Sequence, residues 1–280
     1  MQINKPILLL LLVFTYSCSN SLKYLNSFDG LNGKPKRAEL AGFKIEYKDS
    51  LPFEKATSKY ILSYDLKGRK LNTTTYSFKD NSYSKSISFN YFYNKHGNET
   101  KVIMYDRDGT INIEKKTKYD RHGRIIKSVS IRNNKRSSVT KRTYNRKHKT
   151  GKLIQERDNS NLKEITVQKY DENWQAIELK SLDGLGRQKG RVEFRYDKKN
   201  NKISQKWYNS KNELYNFSKT SFNENNDPIL SFSYSVKGKD TMLKKTMKFK
   251  YLYDKQNNVI EEKLFSNDKL TSITRYKYTY

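Results

Sequence analysis

The sequence predicts an all-β protein: a long antiparallel meander of repeated hairpins that forms one curled or coiled sheet. Three observations predict it. An aromatic or apolar residue followed by Asp or Asn recurs every 12 to 14 residues in the stretch that begins at Tyr170. Between these openings apolar and polar residues alternate, as in Val192, Phe194 and Tyr196, which is typical of half-buried strands. Aromatic residues make up 13% of the chain and apolar residues only 34%, which fits a thin apolar layer.

The N-terminus resembles a bacterial lipoprotein signal peptide. Lys5 gives it a positive charge, and the apolar run from Ile7 to Phe14 is too short to span a bilayer as a helix. Ser17 follows, and then Cys18, which is the only cysteine of the chain. We therefore expect a signal peptide over residues 1–17, lipid attachment at Cys18 and a membrane contact through that lipid. An ordinary secretory signal with an incidental cysteine is the alternative.

Residues 18–40 are predicted to form a tether, and residues 41–280 the repeat domain. The tether is polar and contains Gly30, Gly33 and Pro35. A lone cysteine excludes an intramolecular disulfide, so strand pairing and one apolar face must stabilise the domain. No acidic cluster follows the cysteine, which favours the periplasmic side of the outer membrane, and a cell-surface location stays open.

Each repeat unit consists of a turn and a strand. In the unit that begins at Tyr196, Asp197 can bond to the backbone two residues on and so nucleate a turn. The fifth position of the unit needs a left-handed backbone, which Gly and Asn adopt readily. That position is occupied by Gly68, Gly97, Gly109, Gly123, Gly186, Asn200, Asn212, Asn226, Gly238 and Asn257. Trp174 occupies it in the unit that begins at Tyr170.

The openings from Tyr47 to Phe265 define 17 turns and about 18 strands. The opening residue of each unit shares parity with the apolar positions of its strand, so we expect it to be the last inward residue before the turn. The side chains expected on the concave or enclosed side are Phe89, Tyr91, Phe194, Phe232, Phe249 and Tyr251. Those expected to face solvent include Arg195, Lys248 and Lys250.

Turns of a meander fall alternately at the two ends of the sheet. At one end every unit opens with an aromatic residue and Asp or Asn, as in Tyr64-Asp65 and Tyr119-Asp120. At the other end the openings are irregular, as in Arg157-Asp158 and Leu182-Asp183. Either the structural constraint is weaker at that end, or its variable loops carry recognition.

The units Tyr64-Asp65-Leu66-Lys67-Gly68-Arg69 and Tyr119-Asp120-Arg121-His122-Gly123-Arg124 resemble the YD repeats of RHS-type bacterial proteins. The resemblance covers roughly residues 47–280, and the units within 131–168 depart from the repeat pattern. It implies antiparallel strands that coil into a continuous sheet, sometimes a shell. The chain lacks the C-terminal core and toxin domain of the large members, so what the resemblance implies is a small YD-repeat lipoprotein.

The charge of the chain is strongly positive, with a formal net charge of +28. Such a field attracts polyanions or anionic surfaces. An anionic glycan or another envelope protein is therefore an expected partner, and nucleic acid is not favoured in an exported chain. The alternative is compositional, because Lys, Asn, Tyr and Ile abound together in proteins of AT-rich genomes. The sequence gives no oligomeric state.

No catalytic constellation is found in the sequence, so we expect no enzyme activity and no cofactor. His96, His122 and His148 are spaced by 26 residues, which the repeat itself explains, and neighbouring turns of one end lie about 10 Å apart, too far to share one metal ion. We therefore expect no metal site. Trp207 is expected to fill the core, and Trp174 to project from its turn as a candidate binding residue.

These observations favour a lipid-anchored envelope protein that acts as a non-enzymatic binding or scaffold module. The alternative is an immunity or toxin-neutralising partner in a bacterial toxin system, because YD-repeat proteins often occur in such systems. An enzyme on this scaffold is the third hypothesis, and it would require convergent buried titratable groups.

Overall fold

The computed structural model describes residues 31–158 and 160–280. The signal peptide, Cys18 and most of the tether lie outside the described residues. The first nine strands are β1 Arg37–Lys48, β2 Leu51–Tyr64, β3 Lys70–Lys79, β4 Ser82–Tyr93, β5 Glu99–Tyr105, β6 Ile111–Tyr119, β7 Ile125–Arg132, β8 Lys135–Asn145 and β9 Thr150–Arg157. The others are β10 Ser160–Tyr170, β11 Ala176–Leu182, β12 Gln188–Tyr196, β13 Lys202–Tyr208, β14 Leu214–Phe222, β15 Pro228–Lys237, β16 Asp240–Tyr253, β17 Val259–Ser266 and β18 Lys269–Thr279.

The sheet closes on itself. Each strand pairs antiparallel with the strands before and after it in the chain, and β18 returns to pair with β1, where Arg37 faces Thr279 and Lys44 faces Ser272. The predicted meander of 18 strands is confirmed, and the predicted open, curled or coiled sheet is wrong: the protein is a β-barrel. Closure removes both free edges, which a long open sheet would expose to other chains.

The barrel is wide enough to be hollow. Eighteen strands spaced by about 4.8 Å and tilted by roughly 40° give a backbone diameter of about 35 Å. Side chains fill the interior of barrels of about eight strands, but barrels of roughly 16 to 18 strands leave a channel. By this rule an 18-stranded barrel has a lumen, which its inner side chains line.

The turns differ between the two ends of the barrel. At one end, which we call the aspartate rim, Gly68 N–H donates to the Asp65 carbonyl over 2.8 Å and Asp65 N–H donates to the Arg69 carbonyl over 2.9 Å. The Asp65 carboxylate also accepts from the N–H groups of Lys67 and Arg69. Gly68 has a φ of 84°, the left-handed backbone that this turn requires.

The other end, the opposite rim, mixes two kinds of turn, which explains its irregular sequence. Some of its hairpins close through two residues that both have positive φ, the type I′ geometry that matches strand twist. These pairs are Asp49-Ser50, Asp80-Asn81, Asn133-Asn134 and Asn267-Asp268. Other hairpins repeat the aspartate turn, as at Asp183, whose N–H donates to the Arg187 carbonyl over 2.9 Å.

The two walls of the barrel carry different side chains. Directly paired residues project from the same wall, so the register places Phe194 and Trp207 on one wall with Tyr196, and Arg195 on the other. Phe194 is 8% exposed and Trp207 is 9% exposed, whereas Arg195 is exposed. We take the wall with the buried aromatic side chains as the one that faces the barrel interior. We call the two surfaces the inner wall and the outer wall.

Most of the predicted inward residues line the inner wall, but Phe232 does not. Ser231 and Ser233 project inward from β15, and Phe232 projects outward, where Tyr234 stacks on Phe217 with ring centroids 4.4 Å apart. The geometry of the preceding turn sets the register of β15, and a shift of one residue exchanges the two faces of a strand. Arg195, Lys248 and Lys250 are exposed as expected.

The rule that every opening residue points inward holds only at the aspartate rim. Tyr119 and Tyr196 lie on the inner wall, whereas Tyr105 and Tyr208 of the opposite rim lie on the outer wall. Most hairpins contain a bulge, which adds one residue to one strand. Because of that extra residue, an opening side chain at one rim and an opening side chain at the other rim point to opposite walls.

The folded part of the chain includes residues that the sequence assigned to the tether. Leu31 is 5% exposed and packs in the main apolar cluster with Leu40, Leu62 and Tyr276. Within residues 31–40 the chain also enters the barrel as β1, which begins at Arg37. The tether predicted over 18–40 therefore overlaps the barrel at its C-terminal end.

Candidate functional site

Five lysines of the outer wall form a band across β5 to β8, which we call the lysine stripe. They are Lys101, Lys116, Lys118, Lys127 and Lys141. Direct register pairs place Lys101 opposite Lys116, and Lys127 opposite both Lys118 and Lys141. Side chains that are directly opposite each other have Cβ atoms only about 5 Å apart, and like charges in such pairs destabilise a sheet.

Few acids neutralise the lysine stripe. Lys116 pairs with Glu114 at 3.3 Å and Lys141 reaches Glu156 only at 4.0 Å. In the described part of the chain neither Lys118 nor Lys127 forms an ion pair. The barrel therefore holds a band of like charge that folding alone does not require, because uncharged residues there would remove the repulsion.

Elsewhere on the outer wall, arginines form ion pairs with glutamates of neighbouring strands. The Arg275 guanidinium bonds both oxygens of Glu54 at 2.6 Å and Glu261 at 3.0 Å. Arg191 lies between Glu178 and Glu193, at 3.1 and 2.5 Å. These networks mark the lysine stripe as a different kind of surface, one with spare positive charge.

Trp174 takes the left-handed position of its turn, with a φ of 61°. Its ring lies 5.4 Å from the Tyr170 ring, and the Arg124 guanidinium lies 5.5 Å from its centroid. Trp174 is thus half-buried against its neighbours instead of projecting freely. Its role in binding stays a prediction.

The three histidines lie in exposed turns of the aspartate rim. His122 Nε2 accepts a hydrogen bond from Arg121 Nε over 3.2 Å, and local desolvation, followed by the positive charges of Arg146 and Arg121, lowers the pKa of His122. Among the described residues, no three His, Cys, Asp or Glu side chains lie close enough to hold a metal ion.

A buried carboxyl group on the inner wall escaped the sequence analysis. Glu262 of β17 is 8% exposed, pairs in register with Tyr251, and has no hydrogen bond or ion pair to any described residue. Burial, and then the charge of Asp227, raises the pKa of Glu262 to about 7. The hydroxyl of the buried Tyr276 also lacks a hydrogen-bond partner in the described structure. The raised pKa means that Glu262 changes its charge near neutral pH. No sequence motif indicates this carboxyl group.

The structure places these features in different parts of the barrel. The lysine stripe is on the outer wall, Trp174 and the histidines are at the aspartate rim, and Glu262 is on the inner wall. The alternation of lysines along β6, at Lys116 and Lys118, is visible in the sequence, but the pairing of Lys127 with both neighbouring strands is not. No helix in the described part of the chain is long and apolar enough to cross a bilayer.

Comparison with known proteins yields similar structures only. No family model matches the sequence, and no curated protein matches it. The chain is similar to a porin-like protein from Bacteroides uniformis, with 9% identity and a TM-score of 0.47 over 88% of this chain and 97% of that one. It is also similar to a porin-like protein from Bacteroides vulgatus, with 9% identity and a TM-score of 0.31 over 88% and 98% of the two chains.

A third similar structure is the TcdB2-TccC3-Cdc42 complex, with 13% identity and a TM-score of 0.34 over 83% of this chain. The match covers 13% of that chain. The assignment of a closed barrel rests on the strand pairing itself, from β1 through β18 and back to β1.

Proposed function

We propose that the protein is a small YD-repeat lipoprotein of the cell envelope that binds an anionic glycan, without enzyme activity, through the lysine stripe of its outer wall. The observation that carries the proposal is the direct pairing of Lys127 with Lys118 and Lys141, none of them held in a close ion pair. Such repulsion is relieved when a polyanion lies along the stripe.

The anchor supports the same function. The apolar run that ends before Cys18 favours export and lipid attachment, which would hold the barrel at the outer membrane, with the periplasmic side favoured. A barrel held by a tether can turn its outer wall toward a neighbouring polymer. The lysine stripe occupies one side of the barrel, so the glycan would bind to that side only.

Binding of sulfated dextran to the purified protein tests the proposal. The test variant carries Lys118→Glu, Lys127→Glu and Lys141→Glu. The control variant carries the same charge change on the far side of the ring, at β14 and β16, as Lys219→Glu, Lys248→Glu and Lys250→Glu. We expect the test variant to bind at least about tenfold more weakly than the control at equal salt, because local charge density outweighs distant charges beyond a Debye length of about 10 Å.

An equal loss of affinity in the two variants would show that only net charge matters, and would refute the role of the lysine stripe in binding. No binding by the unaltered protein would refute the function. A parallel measurement with phosphatidylglycerol vesicles separates the glycan from a lipid surface: tighter binding to vesicles than to the glycan would assign the stripe to the membrane instead.

A further inference from the structure

A cavity of about 400 Å³ opens at the aspartate rim, between the β10–β11 turn and the β12–β13 turn. Asp171 and Gln175 line it from the first turn, and Tyr196 lines it from the end of β12. Phe194 and Ile203 of the inner wall form its apolar part. Most of the other lining residues are polar or charged, so the cavity is suited to a polar or charged ligand group.

Two other units of the same rim hold an arginine in the corresponding place. The Arg124 guanidinium donates to Asp120 over 2.7 and 2.8 Å and lies 4.5 Å from the centroid of the Tyr144 ring. Tyr144 opens the next unit along the rim. The arginine is therefore held between the aspartate of its own turn and the tyrosine of the next.

The unit that begins at Tyr64 repeats the arrangement. The Arg69 guanidinium bonds Asp65 at 2.6 and 2.7 Å, and its central carbon lies 5.0 Å from the centroid of the Tyr93 ring. A guanidinium between a carboxylate and an aromatic face is thus a recurring component of this rim.

The unit that begins at Tyr170 keeps the turn aspartate, and the next unit keeps the tyrosine ring, but the arginine between them is missing. Asp171 accepts from the backbone N–H groups of Asn173 and Gln175, as the other turn aspartates do. Gln175 stands where Arg69 and Arg124 stand in their units, and it is shorter and uncharged. In the described part of the chain no side chain donates to Asp171 and no cation lies over Tyr196.

We infer that this cavity binds the guanidinium group of an arginine from a partner polypeptide, which would donate to Asp171 Oδ2 while its plane lies on the ring of Tyr196. The ligand supplies what Arg124 supplies within its own unit. Arginine suits the site better than lysine, because its planar fork matches a carboxylate and stacks on an aromatic ring.

Charges around the cavity restrict the partner. Lys198 and Arg195 also line it, Asp197 is the second acid, and the whole chain carries a net charge of +28. A polypeptide rich in basic residues would be repelled. We therefore expect the arginine to be flanked by neutral or acidic residues. The site lies on the rim and not on the lysine stripe, so it is independent of the proposed glycan binding.

The test is a titration of the purified protein with acetyl-Glu-Gly-Arg-Gly-amide, followed by the NMR signals of the Asn173 and Gln175 amides. The same peptide with citrulline keeps the shape and removes the charge. Gln175→Arg should fill the cavity from within, and Asp171→Asn should remove the carboxylate. The asparagine turn is compatible with the fold, because Asn94 accepts the same two backbone N–H groups in its unit at 3.0 Å.

We expect the arginine peptide to bind the unaltered protein and to bind each variant at least about tenfold more weakly, the loss of one charge-assisted pair. Citrulline should weaken binding to the unaltered protein by a similar factor. Asn98→Arg introduces an arginine at the corresponding position of the unit with Asn94, so it is the matched control and should leave binding unchanged.

Unfolding midpoints of all variants should stay within a few degrees of the unaltered protein, so that a lost fold is not read as a lost site. Three results would each overturn the inference: equal binding of the arginine and citrulline peptides, unchanged binding by Gln175→Arg, or no binding by the unaltered protein at millimolar peptide. Binding of free arginine alone, without the peptide, would assign the cavity to a small guanidino compound instead.

Discussion

The hydroxyl of Tyr93 donates a 2.8 Å hydrogen bond to the backbone carbonyl of Lys70 on the adjacent strand. β3 and β4 are joined at the opposite rim, so at the aspartate rim their ends are not held together by a turn. The last register pair there is Asn72 with Asn90, and the tyrosine hydroxyl extends the connection beyond it. Tyr93 thus fastens one hairpin to the next.

The same contact recurs around the rim. In each case the hydroxyl near the end of one strand donates to the carbonyl at the beginning of the strand before it. The other pairs are Tyr119 with Glu99 at 2.7 Å, Tyr144 with Ile125 at 3.1 Å, Tyr196 with Ala176 at 2.9 Å, Tyr251 with Pro228 at 2.8 Å and Tyr278 with Val259 at 2.8 Å. The repeat therefore uses its tyrosine for hydrogen bonding as well as for burial.

Tyr119→Phe should lower the free energy of unfolding by about 1 kcal/mol, the usual net value of one hydrogen bond. The ring stays in place, and only the bond to the Glu99 carbonyl is lost. Urea unfolding at 25 °C measures the change. Tyr76→Phe is the control, because the Tyr76 hydroxyl makes no hydrogen bond within the described structure. Equal changes in the two variants would mean that the rim contact contributes nothing specific.

Gly123→Val should destabilise the barrel by about 1–2 kcal/mol, and Arg121→Val should have little effect. Gly123 has a φ of 74°, which a β-branched residue resists. A Cβ there would meet only Asn98, at 3.9 Å, so the cost is backbone strain and not a clash.

Thermal unfolding of both variants measures the difference, with Gly123→Asn as a third variant. Asparagine holds this position in other units, for example Asn200 with a φ of 66°, and should be tolerated. Similar losses for valine and asparagine would locate the cost in the side chain's surroundings and not in the left-handed backbone.

Glu262→Gln should stabilise the protein at pH 8 and have little effect at pH 4. The pKa of Glu262 is raised from 4.5 to about 7 by burial and by Asp227. From about pH 4.5 to 7 the unfolded chain loses its proton while the folded protein keeps it, so this residue makes stability fall as pH rises through that range. Well above pH 7 the penalty is complete, about 3 kcal/mol, because each unit of pKa difference corresponds to about 1.36 kcal/mol.

Melting temperatures of both proteins across pH 4 to 8 test this. Glu224→Gln serves as the control, since it removes the same charge from an exposed turn. If the difference between Glu262→Gln and the unaltered protein does not depend on pH, Glu262 is not buried as a carboxyl group on the inner wall.

Mass spectrometry of the mature protein should show an N-terminus at Cys18 that carries two or three acyl chains. The apolar run before Ser17 and the single cysteine motivate this prediction. Cys18→Ser should abolish the lipid and release the protein from the membrane fraction. A mature chain that begins elsewhere without lipid would remove the anchor from the proposed function.

The number of strands and their turns could be read from the sequence because turn conformation is local. Asp65 bonds the backbone of its own turn, and Gly68 supplies the one left-handed residue that the turn requires. Each of these contacts spans a few residues, so the residue types alone indicate them. The alternation of Phe194 and Arg195 between the two walls follows from the period of a strand in the same way.

Contacts between distant residues decided the rest. Pairing of Arg37 with Thr279 closes the barrel, yet nothing in either residue distinguishes an edge strand from a closing strand. Phe232 faces outward because the turn before β15 sets the register, although its own strand has a plausible apolar face in the other direction. Alternation identifies the two faces of a strand, but only the ring determines which face is inside.

The sequence alone determined the repeat, the strongly basic charge and the candidate residue Trp174. The tertiary structure decided that Lys127 stands between Lys118 and Lys141, and that Asp171 and Tyr196 flank a cavity where two other units of the rim hold an arginine. The physical reason is that these groups belong to separate hairpins. Their proximity depends on the register across the sheet, which is a property of the closed barrel and not of any one segment.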